Sequence, residues 1–135
     1  MTQNERIERV DSILNRGVIR QILPSKEAFR EALLTRTLTF YIGADPTGNS
    51  LHLSHAKNFM LLEEFRQLGH KVNVLFGDFT ACIGDPSDRD SSRTLLTREK
   101  ARENASNWVS QISSIINFND PVNPAHVRYN SEWID

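Results

Sequence analysis

The chain has one cysteine, Cys82, in 135 residues, so no internal disulfide can form and nothing asks for an oxidising compartment. It has no excess of positive charge: 16 Lys and Arg stand against 17 Asp and Glu, a formal charge of −1. That balance excludes a binder whose whole surface is a nucleic-acid footprint, though not a local basic patch. No apolar run approaches the roughly 20 residues of a membrane helix. The segment Met1 to Val10 carries Glu5 and Glu8 and no apolar stretch, which argues against a signal peptide and a mitochondrial transit peptide. A cytoplasmic location, away from the membrane, is the expectation. Repeats, low-complexity tracts and linkers are also missing. What is there is an ordinary globular composition, 39% hydrophobic and 24% charged, in a length that suits one domain.

Periodicity places the elements. Ile7, Val10, Ile13 and Leu14 predict a helix over residues 3–16, with Gly17 suited to end it. Ser25 can cap a second helix over 26–34, with Ala28, Phe29, Ala32 and Leu33 on its inner side. Residues 37–43 are β-branched and aromatic and stop at Gly43, as a strand does. A helix is expected over 51–68, stopped by Gly69, with Phe59, Leu62 and Phe65 buried. A strand follows over 72–76, then a long loop over 77–90. Thr97 can start a helix whose Ala101, Ala105, Trp108, Val109, Ile112, Ile115 and Ile116 form one apolar stripe, and 126–129 reads as a third strand. Strands alternating with helices predict an α/β fold with a parallel sheet and right-handed crossovers, preceded by two helices. Ligands of such sheets bind outside the carboxyl ends of the strands, where both glycine-containing loops fall.

The first of those loops runs from Tyr41 to His55 through Asp45, Pro46, Thr47, Gly48, Asn49, Ser50, Leu51 and His52. A helix N-terminus offers unpaired N–H groups and partial positive charge, which suit a phosphate. His52 and His55 are expected together in the first turn, and Thr47 adds a hydroxyl from the loop. Either histidine alone reads more simply as satisfying local hydrogen bonds. A metal role for the pair lacks a third ligand. The second loop, from Gly77 to Ser87, sets Asp85 between Gly84 and Pro86, a rigid turn able to present a carboxylate to an ammonium group. A solvated turn is its plainer alternative. Together the loops suit a ligand with a cationic and an anionic end.

The series Tyr41-x-Gly43-x-Asp45-Pro46-Thr47-x-x-Ser50-Leu51-His52-Leu53-x-His55, followed by Gly84-Asp85-Pro86-Ser87, resembles the amino-terminal half of the catalytic domain of the tyrosyl-tRNA synthetase family. Those are class I enzymes with a Rossmann-like core. The resemblance runs from about residue 35 to Trp133, and its motifs divide the chain into N-terminal helices over 1–34 and the first half of a catalytic domain over 35–135. It implies that tyrosine and ATP form tyrosyl-adenylate and pyrophosphate, with magnesium accompanying ATP, and that the tyrosyl group then moves to tRNA(Tyr). By matching position, Thr47 and His52 would contact the γ-phosphate side in the transition state, as pyrophosphate leaves. His55 and the Ser54 backbone would lie against the adenosine, above Gly43 and Asp45. Tyr41 would meet the substrate phenol and Asp85 its ammonium, with Thr80 beside it, while Asn130 and Trp133 match the segment closing the amino-acid pocket. The family's homodimer is implied for a complete enzyme.

Two departures stand out. Ser54 occupies the third position of the His-x-Gly-His signature, and its Cβ predicts weaker ATP binding than glycine would allow. No Lys-x-Ser-Lys pattern occurs, so an amino-terminal fragment or truncated relative with little charging activity of its own is expected. Arg89 and Arg93 could face the phosphates or the tRNA acceptor end but cannot replace the missing loop. A small nucleotidylyltransferase, and a non-catalytic module retaining a tyrosine- or adenylate-shaped half-pocket, are the competing readings.

Overall fold

A computed structural model describes residues 1–83 and 96–134. Asp85, its neighbours Gly84, Pro86 and Ser87, and Arg89 and Arg93 lie outside the described residues. Two helices, α1 (Gln3–Asn15) and α2 (Lys26–Thr35), precede strand β1 (Thr39–Ala44), helix α3 (Leu53–Gln67) and strand β2 (Lys71–Phe76). A short α4 (Thr80–Ile83), the long α5 (Arg98–Ile112), strand β3 (His126–Tyr129) and a 3-10 turn (Asn130–Glu132) complete the order. The strands form one parallel sheet in the order β1-β2-β3, with Tyr41 opposite Asn73 and Phe76 opposite Tyr129. The expected parallel α/β architecture is therefore present. Among the described residues, no helix is long and apolar enough to cross a membrane.

Local chemistry sets most element ends. The side chains of Ser25 and Thr97 accept the Ala28 and Lys100 N–H groups and cap α2 and α5. Gly17 and Gly69, with φ of 80° and 88°, take left-handed conformations just beyond α1 and α3, where other residues would be strained. Three expectations need correcting. Residues 80–83 are helical rather than loop, because Ala81 N–H bonds back to the Gly77 carbonyl and Cys82 N–H to that of Phe79. Ala28 is exposed and not on the inner side of α2, whose buried residues are Ala32 and Leu33. Helix α5 ends at Ile112, so Ile115 and Ile116 continue the apolar stripe from the following turn.

Alternation of side chains gives the sheet two unlike faces. Val72, Val74 and Phe76 point to one face with Phe40, Ile42, Val127 and Tyr129, and there they meet Phe59 and Leu62 of α3 and Ala105, Trp108 and Ile112 of α5. Both crossovers advance in the same direction across the sheet, so both helices fall on that face. A second cluster joins α1 and α2 to the end of α3: Val10, Ile13, Leu14, Leu33, Phe65 and Leu68 pack together, and Phe40 stacks on Phe65 at 4.1 Å. The opposite sheet face carries Tyr41, Asn73, Leu75 and Arg128.

Candidate functional site

The connection from β1 to α3 brings the two histidines together, but not both within the first turn. His52 is the residue before the helix and caps it, whereas His55 is three residues on. The caps are reciprocal: Ser54 N–H donates to His52 Nδ1, and His52 N–H donates to His55 Nδ1, each at 3.3 Å. A backbone N–H aimed at Nδ1 requires that atom to be an acceptor, so each neutral ring carries its hydrogen on Nε2. The local hydrogen bonds foreseen as the plainer reading thus exist. They leave each ring one Nε2–H donor beside a helix N-terminus. Ser54 Oγ also approaches His52 Nδ1, at 3.1 Å, so Ser54 braces the capping ring. Thr47 is exposed on the loop, its N–H donating to the Asp45 carbonyl at 2.8 Å.

A line of hydrogen bonds joins the carboxyl ends of all three strands. Thr80 Oγ1 donates to Asp45 Oδ1 at 2.7 Å, and Asn130 Nδ2 donates to Thr80 Oγ1 at 2.9 Å. Asn130 Oδ1 accepts the Phe79 N–H at 3.0 Å. Asp45 follows β1, Thr80 follows β2 and Asn130 follows β3, so this line spans the end of the sheet where a parallel α/β fold binds ligands. Gly77 lies beneath it, and its N–H bonds to the Ala44 carbonyl. The side chain of Asn130 is engaged with Thr80 and Phe79, and Thr80 with Asp45.

One group that the sequence reading left without a role stands beside this line. Asp78, in the second loop, is fully buried and accepts Ser131 N–H at 3.1 Å, Ser131 Oγ at 2.7 Å and Arg102 Nε at 2.8 Å. Burial alone would raise its carboxyl, but the hydrogen bonds from Arg102 and Ser131 prevail and hold it below its ordinary value. Arg102 also lies over the Tyr129 ring, 5.3 Å from the centroid. Asp78 thus fastens the turn carrying Asn130 to the end of β2 and to α5. The only local signal was an acid directly after the glycine that follows a strand, which does not distinguish it from a solvated turn.

Tyr41 sits within β1 on the open sheet face, and its side chain is exposed. It lines a groove with Asn73, Leu75, Arg128 and Trp133. Asn73 and Leu75 occupy alternate positions of β2 and Arg128 an alternate position of β3, so the sheet itself builds the groove floor. The structure thus gathers Tyr41 and Trp133 at one place and Asp45, Thr80 and Asn130 at another, with Gly43, on the same face of β1 as Tyr41, between them in sequence. Asn73, Leu75 and Arg128 were not singled out from sequence, because one residue at period two carries no sign of which face stays open.

A parallel sheet with its helix N-terminus, capping histidines and polar strand ends on one side defines a domain of the Rossmann-like kind. The chain belongs to the family described as tRNA synthetases class I (W and Y), whose family model matches residues 33–135. It is 39% identical over 132 residues to a tyrosine–tRNA ligase of Deinococcus radiodurans, covering 98% of this chain and 30% of that protein. It is 40% identical over 124 residues to a tyrosine–tRNA ligase of Clostridium kluyveri, covering 92% of this chain and 30% of that one. The chain therefore spans about a third of the length of these curated relatives. A C-terminally truncated mitochondrial tyrosyl-tRNA synthetase of Aspergillus nidulans shares the fold at a TM-score of 0.71 and 20% identity, over 97% of this chain and 43% of that one.

Proposed function

We propose that residues 35–135 form the first half of the catalytic domain of a tyrosine–tRNA ligase, with residues 1–34 as helices buttressing it. In the reaction, a tyrosine carboxylate oxygen attacks the α-phosphorus of magnesium-bound ATP, the bond to the bridging oxygen breaks, and pyrophosphate leaves. A hydroxyl oxygen at the 3′ end of tRNA(Tyr) then attacks the carbonyl carbon of the adenylate, the bond to the phosphate oxygen breaks, and AMP leaves. The substrate supplies its own nucleophile, so the protein's task is positioning and stabilisation of growing phosphate charge. The observation carrying this reading is the reciprocal histidine cap at the α3 N-terminus: Thr47 and the His52 Nε2–H give phosphate donors where the helix field is positive, and the His55 Nε2–H is held three residues on. His55 and Ser54 face adenosine above Gly43 and Asp45, and His52 acts with Thr47 on the departing phosphates.

Tyr41 meets the substrate phenol in the groove, and Asp85 takes the ammonium. Thr80 and Asn130 brace that end through Asp45. Charging of tRNA by these 135 residues alone is expected to be slight, since no Lys-x-Ser-Lys loop is among them, and the homodimer and tRNA contacts belong to a longer enzyme.

The test is thermal unfolding of the chain with a non-hydrolysable tyrosyl-adenylate analogue and, in parallel, its phenylalanyl counterpart. A ligand at a hundred times its dissociation constant adds about 2.7 kcal/mol. Stabilisation by the tyrosyl compound alone is expected; no shift with either rejects a working half-site. Ser54→Gly is expected to tighten ATP, because it removes a Cβ from the face offered to adenosine. Equal or weaker ATP binding by calorimetry would instead give priority to the lost contact with His52.

A further inference from the structure

Helix α5 does more than fill the core. Asn104, Trp108 and Gln111 stand on one face of it, and each reaches the loop between β1 and α3, 58 to 62 residues away in sequence. Asn104 Nδ2 donates to the Pro46 carbonyl at 2.9 Å, Trp108 Nε1 to that of Gly48 at 2.7 Å, and Gln111 Nε2 to that of Asn49 at 3.1 Å. Gln111 Oε1 also accepts the Leu51 N–H at 3.0 Å. Asn104 and Pro46 are both buried, so the Pro46 carbonyl released from Asn104 has little access to water. Trp108 has a second contact: its ring lies 5.5 Å from that of His55, tilted by 36°. One side chain thus touches both the loop and the histidine.

The direction of these bonds matters for an anion. In a trans peptide the C=O and the following N–H point opposite ways. Turning the Gly48 and Asn49 carbonyls onto α5 turns the Asn49 and Ser50 N–H groups away from it. Among the described residues, neither N–H donates to a protein acceptor. A loop free to rotate would offer a phosphate both carbonyl oxygens and donors. With its carbonyls held by α5, it offers donors.

We propose that Asn104, Trp108 and Gln111 are positioning residues of the nucleotide site: from α5 they hold the acceptor side of the 46–51 loop, so that the loop presents donors to the phosphates while Trp108 sets the His55 ring against the adenosine. This rests on the ATP reading given above. The test compares Gln111→Ala and Trp108→Phe with the unaltered chain. Gln111 is exposed, so its variant keeps the core, and phenylalanine retains an aromatic ring while deleting the donor.

Calorimetric titrations with ATP and with L-tyrosine are paired with amide NMR signals of Gly48, Asn49 and Ser50 and the ring signals of His55. Each variant should bind ATP about fivefold to tenfold more weakly, with tyrosine affinity unchanged and the loop and His55 signals shifted. Unchanged ATP affinity, or equal loss of ATP and tyrosine, overturns the proposal. If the unaltered chain binds no ATP, shifted signals uphold the hold on the loop and reject the ATP reading, while unmoved signals overturn the hold itself.

Discussion

Gly77→Ala is expected to unfasten the end of the sheet and abolish binding of the adenylate analogue. A Cβ built on Gly77 would stand 1.9 Å from Asp45 Oδ1, 2.2 Å from Thr80 Oγ1 and 3.1 Å from Asp45 Cγ. The atoms it would strike are the two ends of the hydrogen bond joining β1 to β2, and neither can swing clear without giving up that bond. Their separation breaks the line that continues to Asn130. Overpacking of this kind costs about 1–3 kcal/mol, to which the lost hydrogen bonds add. Gly48→Ala is the control, since a Cβ there meets nothing within 4 Å. Urea denaturation should show a lowered midpoint for Gly77→Ala and one close to that of the unaltered chain for Gly48→Ala. Equal midpoints for the two variants would mean that the sheet end rearranges freely around a methyl group.

Arg66→Ala should give the largest loss of stability, about 3–5 kcal/mol, because it takes the cationic partner from the largely buried Glu63. Arg66 is only 6% exposed; its guanidinium donates twice to Glu63 at 2.7 Å, and at 2.8 Å to both Asp120 and the Asn123 carbonyl. Asn123 Nδ2 returns bonds to the Arg66 and His70 carbonyls, so the group ties the end of α3 to the loop before β3. Arg16, paired with Glu64 in a more exposed setting, should cost about 0–1 kcal/mol on the same change.

The pH dependence has a definite sign. Asp120 titrates at about 2, held down first by the Asn123 and Val122 N–H groups and then by Arg66. Glu63 is also lowered, because hydrogen bonds from Arg66, Gln67 and Asn117 outweigh the upward push of burial. A carboxylate whose folded value lies below its unfolded value stabilises the fold above the unfolded value, near 3.8 for Asp120, and that stability is lost as pH falls through about 2. The unaltered chain should therefore weaken over that interval. In Arg66→Ala the acid transition should move to higher pH, read by circular dichroism against pH. An unmoved transition would show that the backbone donors alone hold Asp120.

Much of this molecule is written locally. Ser25 and Thr97 cap the helices that follow them, Gly17 and Gly69 allow the left-handed exits, and the alternation in Val72, Val74 and Phe76 sets which face of β2 is buried. These depend on a residue and its neighbours within one turn or one pleat, so the order of helices and parallel strands could be read without coordinates. The motif from Tyr41 to His55 was legible for the same reason. Even the capping bonds, His52 N–H to His55 Nδ1 and Ser54 N–H to His52 Nδ1, span only two or three residues.

What the sequence left undetermined are the contacts between distant segments. Trp108 fits an apolar stripe, and nothing local shows that its N–H meets the Gly48 carbonyl 60 residues away. Asp78 looks like any acid in a turn until Ser131 and Arg102 are brought to it across the sheet end. Gly77 looks like a loop glycine until Asp45 and Thr80 close over it. A hydrogen bond needs its partners within about 3 Å, and residues so far apart along the chain reach that distance only when the strand register and the crossover direction have been set. The elements and the motif followed from sequence; which side chains hold the motif in shape was decided by the way the sheet and α5 pack.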